Sequence, residues 1–435
     1  MSTTVLHPRK GNGKTASVAV GEIRNIQQMW DAAIQYFQAG DYDTDAIYLL
    51  YKNMNPKLTF QDIANVISAV YGDTYWTSTY MDYAILSKSL VQALGIDRSL
   101  GDQYARNAFT QWRGALCRKN INDIGLIPTP GSYTESLDIV CNENTPLLPQ
   151  QLIENWNNEY WKTPVVGKNF IYARTQNMAF LGNITPKLQM FYTNAGFNQP
   201  PSSWIQCFTE KDPTSKVGSI LLIDGKAGPM GQGTRGASEA FTFNPTSQEH
   251  VCVIAVLNYE YFESNDPLKI SPGNWNSQTW ITHNGAAAWH NVDPVKSVDE
   301  TLRFYNQDGS EEQFAFLVQC RNVPAGSKIS LSNEDPAAKF ETGLIEIANG
   351  SQHIEKNVTL PAYYKGNLKI KLQGPDGKIL PAPAAVEIQM AWVLRPGHRS
   401  YMNAVERLKA YDTFRNGQDQ YLPIGSFTFT GAGGK

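Results

Sequence analysis

The phrase EHVCVIAVLNYEYFESNDP occupies residues 249–267, and the phrase NWNSQTWITHNGAAAWHNV follows it at residues 274–292. The first phrase contains so long an apolar run that only a strand covered on both faces, in a packed β-sandwich or barrel, would bury it. The second phrase is typical of the last strand of such a sandwich, and a turn-rich gap separates the two. Together they predict a scaffold that binds and assembles, without chemistry of its own.

The chain before this stretch begins with a different pattern. Residues 1–21 are polar and rich in glycine and lysine, which predicts a flexible arm. From Glu22 onward, apolar residues recur at helical spacing, and glycines such as Gly40 and Gly72 end successive runs. We therefore expect a helical domain over residues 22–125.

A proline-rich stretch between residues 125 and 150 marks a change of pattern. After it, segments such as Asn169–Thr175 and Lys187–Tyr192 alternate as half-buried strands do, with turn residues between them. The fold class we expect is therefore an α+β multidomain protein. Its predicted parts after the helical domain are an immunoglobulin-like antiparallel β-sandwich over residues 135–297, a second, smaller β-sandwich over 298–396, and a C-terminal helix and strand over 397–435.

Four parts of the β block resemble phrases of a known family: Ser136-Leu-Asp-Ile139, Gly167–Asn177, Pro201-Ser-Ser-Trp204, and His250–Val256 closing with Asn284–Val292. On these phrases, residues 136–295 resemble the CARDB-like bacterial immunoglobulin-type domains. The resemblance implies an immunoglobulin-like sandwich that serves adhesion, assembly or spacing. The chain departs from the pattern at His283-Asn-Gly285 and in a long glycine-rich insertion before Ser238, so the resemblance leaves any bound ligand open.

The composition indicates which partners the surface suits. The net charge is −3 and the pI is about 6.1, so there is no electrostatic footprint for nucleic acid. Charged residues make up 18% of the chain, against about 25% in an average soluble domain. Such a surface suits protein or glycan contact, and we expect a homo-oligomer or larger assembly, or a cell-surface or glycan target. An ordinary β-rich protein with a neutral surface fits equally well.

The chain has no apolar run long enough for a transmembrane helix, and its basic N-terminus lacks the apolar segment of a Sec signal peptide. We expect a protein that is cytoplasmic as synthesised, with export by a signal-independent route as the alternative. The five cysteines are widely and irregularly spaced. This spacing excludes a zinc motif and favours reduced, buried thiols.

One glycine-rich segment resembles a cofactor motif. Gly231–Gly236 fits the pattern G-x-G-x-x-G, but a strand pattern follows it where dinucleotide binding needs a helix. We interpret residues 224–236 as a loop at the edge of the sandwich and predict a contact loop with Met230 at its tip, together with Gln232 and Arg235.

No motif predicts catalysis, a cofactor or a metal. Gly11–Thr15 imitates the end of a Walker A loop, but Pro8 stands where its first glycine should be. His283 and His290 flank the closing strand and would point to opposite faces. The carboxylates that begin at Asp41 lack the remaining ligands of a calcium loop. We therefore predict no catalytic, cofactor-binding or metal-binding residue.

Three functions remain open. The first is a non-catalytic structural or interaction protein that presents β-sandwich surfaces for self-assembly or partner binding. The second is an exported toxin or effector whose β domains target a cell and whose helical domain is active or interacts with membranes. The third is an enzyme with its site in the helical domain. An aromatic run there is either a core seam or an interaction patch: Tyr71, Tyr75, Trp76 and Tyr80.

Overall fold

The computed structural model describes residues 97–99, 112, 114–126, 128–178, 183–245, 250–259, 265–269, 277–294, 296–408 and 411–432. Its helices within these ranges are short: α1 Pro149–Glu154, α2 Ser277–His283, α3 Tyr401–Leu408 and α4 Tyr411–Arg415. Single 3₁₀ turns occur at Pro201–Ser203, Pro267–Lys269 and Pro336–Ala338.

Strands dominate the described residues. In chain order they are β1 Ala115–Leu116, β2 Ile139–Glu143, β3 Asn169–Asn177, β4 Lys187–Asn194, β5 Gly196–Phe197, β6 Ile205–Gln206, β7 Phe208–Thr209, β8 Gly218–Leu221, β9 Arg235–Ser238, β10 Phe241–Phe243, β11 Val251–Asn258, β12 Ala287–His290, β13 Val292–Pro294, β14 Asp299–Tyr305, β15 Glu312–Arg321, β16 Lys328–Asn333, β17 Phe340–Glu341, β18 Ile345–Glu346, β19 Gly350–Leu360, β20 Lys365–Gln373, β21 Ala385–Leu394 and β22 Gln420–Thr430.

The strands within the described ranges form three sheets. Sheet 1 runs β12-β11-β4-β8-β9-β3-β10-β7, with β1 and β2 paired to β3 and β6 paired to β4. Sheet 2 runs β13-β22-β21-β15-β19, and sheet 3 runs β17-β16-β20-β14-β5 with β18 paired to β16. The prediction of a β-sandwich scaffold is confirmed.

The predicted α+β fold class is wrong for the part of the chain that the structure describes, because that part is mostly strands with a few short helices. The arm over residues 1–21 and most of the helical domain over residues 22–125 lie outside the described residues. Where the predicted domain is described, Arg98 and Ser99 are helical, whereas Ala115 and Leu116 form β1 and pair with β3. The apolar residues of this segment also fit the spacing of a helix, but Gly114 disfavours a helix by about 1 kcal/mol.

Strand β11 separates two hydrophobic cores. Its alternate side chains Cys252, Ile254 and Val256 pack into the core that is shared with sheets 2 and 3. Those between them, such as Val253 and Ala255, pack into the core inside sheet 1. Because side chains on a strand alternate between its faces, a strand buried on both sides must be apolar throughout. This burial explains the apolar run in the sequence.

The second apolar phrase does not form one strand. Its residues Ser277–His283 form the helix α2, and only Ala287–His290 forms the strand β12 beside β11. Trp280 and Ile281 on α2 and Trp289 on β12 all pack into the same core. An apolar run of this length is consistent with a strand or with a buried helix, which is why the strand interpretation failed here.

Sheets 2 and 3 face each other across the larger core. Strands β14, β16 and β20 alternate buried and exposed residues, with Phe304, Leu331 and Ile370 among the buried ones. Phe304 lies with its ring centroid 6.2 Å from that of Phe316 on β15 in the opposite sheet. The alternation is what a sheet packed on one face requires.

Strand pairing crosses the boundaries predicted at residues 297 and 396. Strand β5 pairs in parallel with β14, and β13 pairs in parallel with β22. Strand β22 also pairs antiparallel with β21 along ten residue pairs. The chain that forms sheet 1 therefore contributes one strand to each of the other two sheets, and the sheets share a continuous core.

Candidate interaction surfaces

The predicted contact loop is partly buried. Met230 has no exposed surface, its backbone N–H and C=O bond to Ile184 at 2.8 and 3.1 Å, and its side chain packs into the core of sheet 1. It therefore does not form the tip. A hydrogen-bonded turn is formed instead by residues 222–226, where Ile223 is exposed. Gln232 and Arg235 are exposed as expected.

A cavity of about 310 Å³ lies beside this turn, and it is lined by Glu210, Lys211, Ser219, Leu221, Gly225, Ala227, Glu239 and Ala240. Both of its carboxylates already have partners. Glu239 accepts a hydrogen bond from the Ser219 N–H at 2.6 Å, and Glu210 lies 3.5 Å from the Lys168 ammonium. The cavity is at the small end of the ligand-pocket range, which is about 300–1,000 Å³.

Arg235 belongs to a cationic cluster around Trp156. The guanidinium carbons of Arg118, Arg235 and Arg174 lie 4.3, 4.9 and 5.9 Å from the centroid of the Trp156 ring. Arg118 and Arg174 are buried and share Asp138, with N–O distances of 2.7 and 3.5 Å. Arg174 also donates to the carbonyls of Asn155 and Asn158. The cluster fixes the segment after α1 against sheet 1.

A second surface element is the loop from Asn120 to Leu126, which we call the apolar loop. It exposes Ile121, Ile124 and Leu126, of which Ile121 and Ile124 are 55% and 62% exposed. The buried side chain of Asp123 fixes the loop backbone, because its carboxylate accepts hydrogen bonds from the N–H groups of Lys119 and Gly125 at 2.9 and 2.8 Å. The loop therefore presents apolar side chains on a fixed backbone.

Asn120 and Gly125 fix the ends of the apolar loop. The Asn120 side chain donates to the carbonyls of Pro130 and Ser132 at 3.0 and 2.6 Å. Gly125 has a φ of +84°, a left-handed conformation that glycine adopts without strain, and its carbonyl accepts from the Trp112 N–H at 2.7 Å. The sequence pattern did not indicate this loop, since Ile121 and Ile124 were assigned to the end of the helical domain and Leu126 to the proline-rich stretch after it.

The two histidines of the closing phrase are buried and held by local partners. His290 Nδ1 lies 2.9 Å from the Ser136 carbonyl, its ring contacts Trp161 at a centroid distance of 3.8 Å, and burial lowers its pKa. His283 Nδ1 lies 3.1 Å from the Thr282 hydroxyl. Among the described residues no group of three or more His, Cys, Asp or Glu side chains could hold a metal ion.

All five cysteines are buried and none is in a disulfide. Burial raises the pKa of the Cys252 thiol to about 12 and that of Cys320 to about 11. Thiols of this kind stay protonated at neutral pH and act as small apolar side chains. The predicted aromatic patch of Tyr71, Tyr75, Trp76 and Tyr80 lies outside the described residues. Within the described part of the chain, no helix is both long and apolar enough to cross a bilayer.

No family model matches this chain, and no curated protein matches its sequence. Among solved structures, it is similar to the calcium-binding domain CBD12 of CALX1.1, with 8% identity over 61% of this chain and 93% of that chain, at a TM-score of 0.11. A second similar structure is CBD12 from CALX1.2, with 9% identity over 60% and 93% of the two chains, at a TM-score of 0.12. Similarity at this level does not establish a shared fold or function.

Proposed function

We propose that this chain is a non-catalytic structural protein that presents β-sandwich surfaces to protein partners, and that its first partner is a second copy of itself. The apolar loop is the single observation that carries the proposal. Neighbouring apolar side chains exposed on one loop are typical of the buried centre of a protein interface.

The rigidity of the apolar loop favours binding. Its backbone is fixed by the buried side chains of Asp123 and Asn120. A loop that is already ordered loses little conformational entropy when a partner covers it. Most of the free energy gained by burying the apolar side chains is therefore available for association, because little of it offsets the ordering of the loop.

The choice of a second copy rests on charge. The formal net charge is only −3 over 435 residues, so like-charge repulsion between copies is weak. A strongly charged partner would gain little electrostatic attraction from so small a net charge. Contact between copies through an apolar centre and a neutral polar rim fits this surface.

The edges of the sheets do not favour strand addition between copies. The end strands β5, β7 and β17 contain two residues each, β13 contains three, and β12 is buried along its length. The long end strand β19 is irregular, with two register shifts against β15. Short or irregular edge strands prevent pairing with a second chain. The loops are therefore the surfaces available for assembly among the described residues.

The resemblance of residues 136–295 to CARDB-like immunoglobulin-type domains also supports the proposal, because it implies adhesion, assembly or spacing. The alternatives of an exported effector and of an enzyme both place their activity in the N-terminal region outside the described residues. No described residue favours either of them, and liposome leakage and cell toxicity assays test the effector alternative directly.

Light scattering coupled to size-exclusion chromatography, with negative-stain imaging, tests the proposal. We expect the wild-type chain to form an assembly and the double substitution I121S/I124S to shift it toward the monomer. Leu344 is 51% exposed elsewhere on the surface, so L344S is a matched control that should leave the assembly intact. A wild-type chain that stays monomeric at all concentrations would overturn the proposal, as would an assembly that I121S/I124S leaves unchanged.

A further inference from the structure

His250 lies between two carboxylates in the interior of the molecule. Its Nδ1 atom is 3.0 Å from Asp293 Oδ2, and its Nε2 atom is 3.0 Å from Glu300 Oε2. All three side chains are buried. The rings of Phe427 and Phe429 flank the imidazole, each with its centroid 5.3 Å away.

The three residues come from three different sheets. His250 immediately precedes β11 of sheet 1, Asp293 lies on β13 of sheet 2, and Glu300 lies on β14 of sheet 3. The side chain of His250 therefore links the start of a strand of sheet 1 to one residue of sheet 2 and one of sheet 3.

The geometry favours a protonated imidazole. A neutral imidazole has one N–H donor and one bare nitrogen, whereas a carboxylate only accepts. With a carboxylate oxygen at hydrogen-bond distance from each ring nitrogen, both contacts are satisfied when both nitrogens carry a proton. A neutral ring would leave one nitrogen lone pair facing a carboxylate, and two buried anions would face each other without a cation between them.

The other groups around the joint do not replace this cation. Glu300 Oε1 accepts from the backbone N–H groups of Lys296 and Ser297, at 2.6 and 3.0 Å. Asp293 Oδ1 has no hydrogen-bond partner among the described residues. The remaining titratable groups that interact with the joint are the Lys296 ammonium, which acts on His250, and His290, Cys141 and Cys252, which interact with Asp293.

We propose that His250 is a pH-sensitive clamp that holds the three sheets together while its imidazolium bridges Asp293 and Glu300, and that loss of its proton loosens the segment from Val292 to Glu300. The like charges of Asp293 and Glu300 then repel each other across a neutral ring. This device is independent of the assembly function proposed above.

The pKa directions agree with this geometry. Burial lowers the pKa of His250, but the hydrogen bonds to Asp293 and Glu300 outweigh burial, so its pKa lies above the ordinary value of 6.5. Burial raises the pKa of Glu300, but bonds from His250, Ser297 and Lys296 outweigh it, so the pKa of Glu300 lies below 4.5.

The sign of the pH dependence follows from these directions. The stabilisation from His250 is fully present below pH 6.5 and is lost as the pH rises through the higher folded-state pKa. That from Glu300 is present above pH 4.5 and is lost as the pH falls through its lowered pKa. Above pH 6.5, the loss of one proton from His250 changes the unfolding equilibrium constant by at most about tenfold per pH unit.

Denaturant unfolding of the whole chain between pH 5.5 and 9, with hydrogen exchange read at residues 292–300, tests the clamp. We expect the wild type to lose stability as the pH rises from 6.5, and H250Q to lose this dependence. His398 pairs with a different carboxylate, that of Glu312, at 3.2 Å, so H398Q is a control that should keep the dependence at residues 292–300. Equal pH dependence in wild type and H250Q would overturn the proposal.

Nitrogen NMR of the wild-type imidazole covers the case in which H250Q does not fold. We expect both ring nitrogens of His250 to be protonated at pH 6.5 and the ring to lose a proton at higher pH together with faster exchange at residues 292–300. A His250 ring that is neutral at pH 6.5, or one whose titration leaves the exchange rates unchanged after correction for intrinsic rates, contradicts the clamp.

Discussion

The backbone of Gly285 lies against the indole of Trp112, so close that a Cβ atom on residue 285 would be 2.2 Å from Cγ of the ring. Trp112 is buried and its indole N–H donates to the Ala115 carbonyl at 3.0 Å. The Gly285 carbonyl accepts from the Cys117 N–H at 2.8 Å. This contact fixes the segment before β1 against the turn that joins α2 to β12.

The substitution G285A should therefore destabilise the protein. The added methyl group meets a buried ring whose indole N–H is already bonded to the Ala115 carbonyl. Overpacking of this kind costs about 1–3 kcal/mol or more. The change in the free energy of unfolding is measured by urea denaturation. Gly228 is the matched control, because a Cβ there meets its nearest neighbour at an ordinary 3.7 Å, and G228A should have little effect. Equal effects of the two substitutions would contradict the argument.

Replacement of Asp138 should be among the most damaging changes. D138N leaves the buried guanidinium groups of Arg118 and Arg174 without their shared anion. Breaking a buried ion pair by removing one partner costs about 3–5 kcal/mol. Urea denaturation measures the loss, and E334Q, which breaks the exposed pair with Lys369, is the control that should change little. The idea fails if D138N is as stable as E334Q.

Truncation of Ile254 tests the role of β11 as the boundary between two cores. I254A removes a fully buried side chain that lies opposite Phe191 and Trp289 on the neighbouring strands. A cavity of this kind costs about 2–5 kcal/mol. I223A, at the exposed turn of residues 222–226, is the control and should be close to neutral. Comparable midpoints of unfolding for the two variants would contradict the assignment of β11 to the core.

The substitution E387Q should stabilise the protein at neutral pH. Burial raises the pKa of Glu387, with a further contribution from Glu135. A carboxyl with a raised pKa contributes stability below its unfolded value near 4.5, and this is lost as the pH rises through the folded value. The amide keeps an acceptor for the Gln389 side chain and carries no charge at any pH.

The midpoint of urea denaturation at pH 7 and at pH 4 checks this prediction. E387Q should exceed the wild type at pH 7, and the difference should shrink at pH 4. E341Q, on the exposed residue of β17, is the control that should show no such pattern. A loss of stability in E387Q at pH 7 would mean that the charge of Glu387 is compensated in the folded state.

The sequence was most informative where burial imposes a pattern. The run from Val251 to Leu257 is apolar on both faces and is buried on both faces. The alternating segments Asn169–Thr175 and Lys187–Tyr192 lie in the strands β3 and β4. Periodicity is a local signal, and it predicted these strands correctly. It misassigned Trp280–His283, where an apolar run fitted a strand but formed the helix α2.

The contacts that make candidate sites could not be predicted, because they join residues far apart in the chain. His250 stands directly before an apolar strand, and Asp293 and Glu300 stand near the starts of two later strands, but only the topology of the sheets brings them together. Met230 was expected at the tip of the loop over residues 224–236, whereas its backbone pairs with Ile184 and its side chain packs into the core of sheet 1. Each case depends on which strands become neighbours.

The position of β11 between two cores has a consequence for how the molecule comes apart. The two cores on either side of β11 share this strand, so loss of order in one removes the support of the other. The sheets should melt in one cooperative transition and not in stages. Cutting the chain at residue 297 would leave a C-terminal fragment that lacks β5 and β13 and exposes the face of sheets 2 and 3 that packs against Ile254 and Trp289. This last third of the chain should therefore not fold as a module by itself.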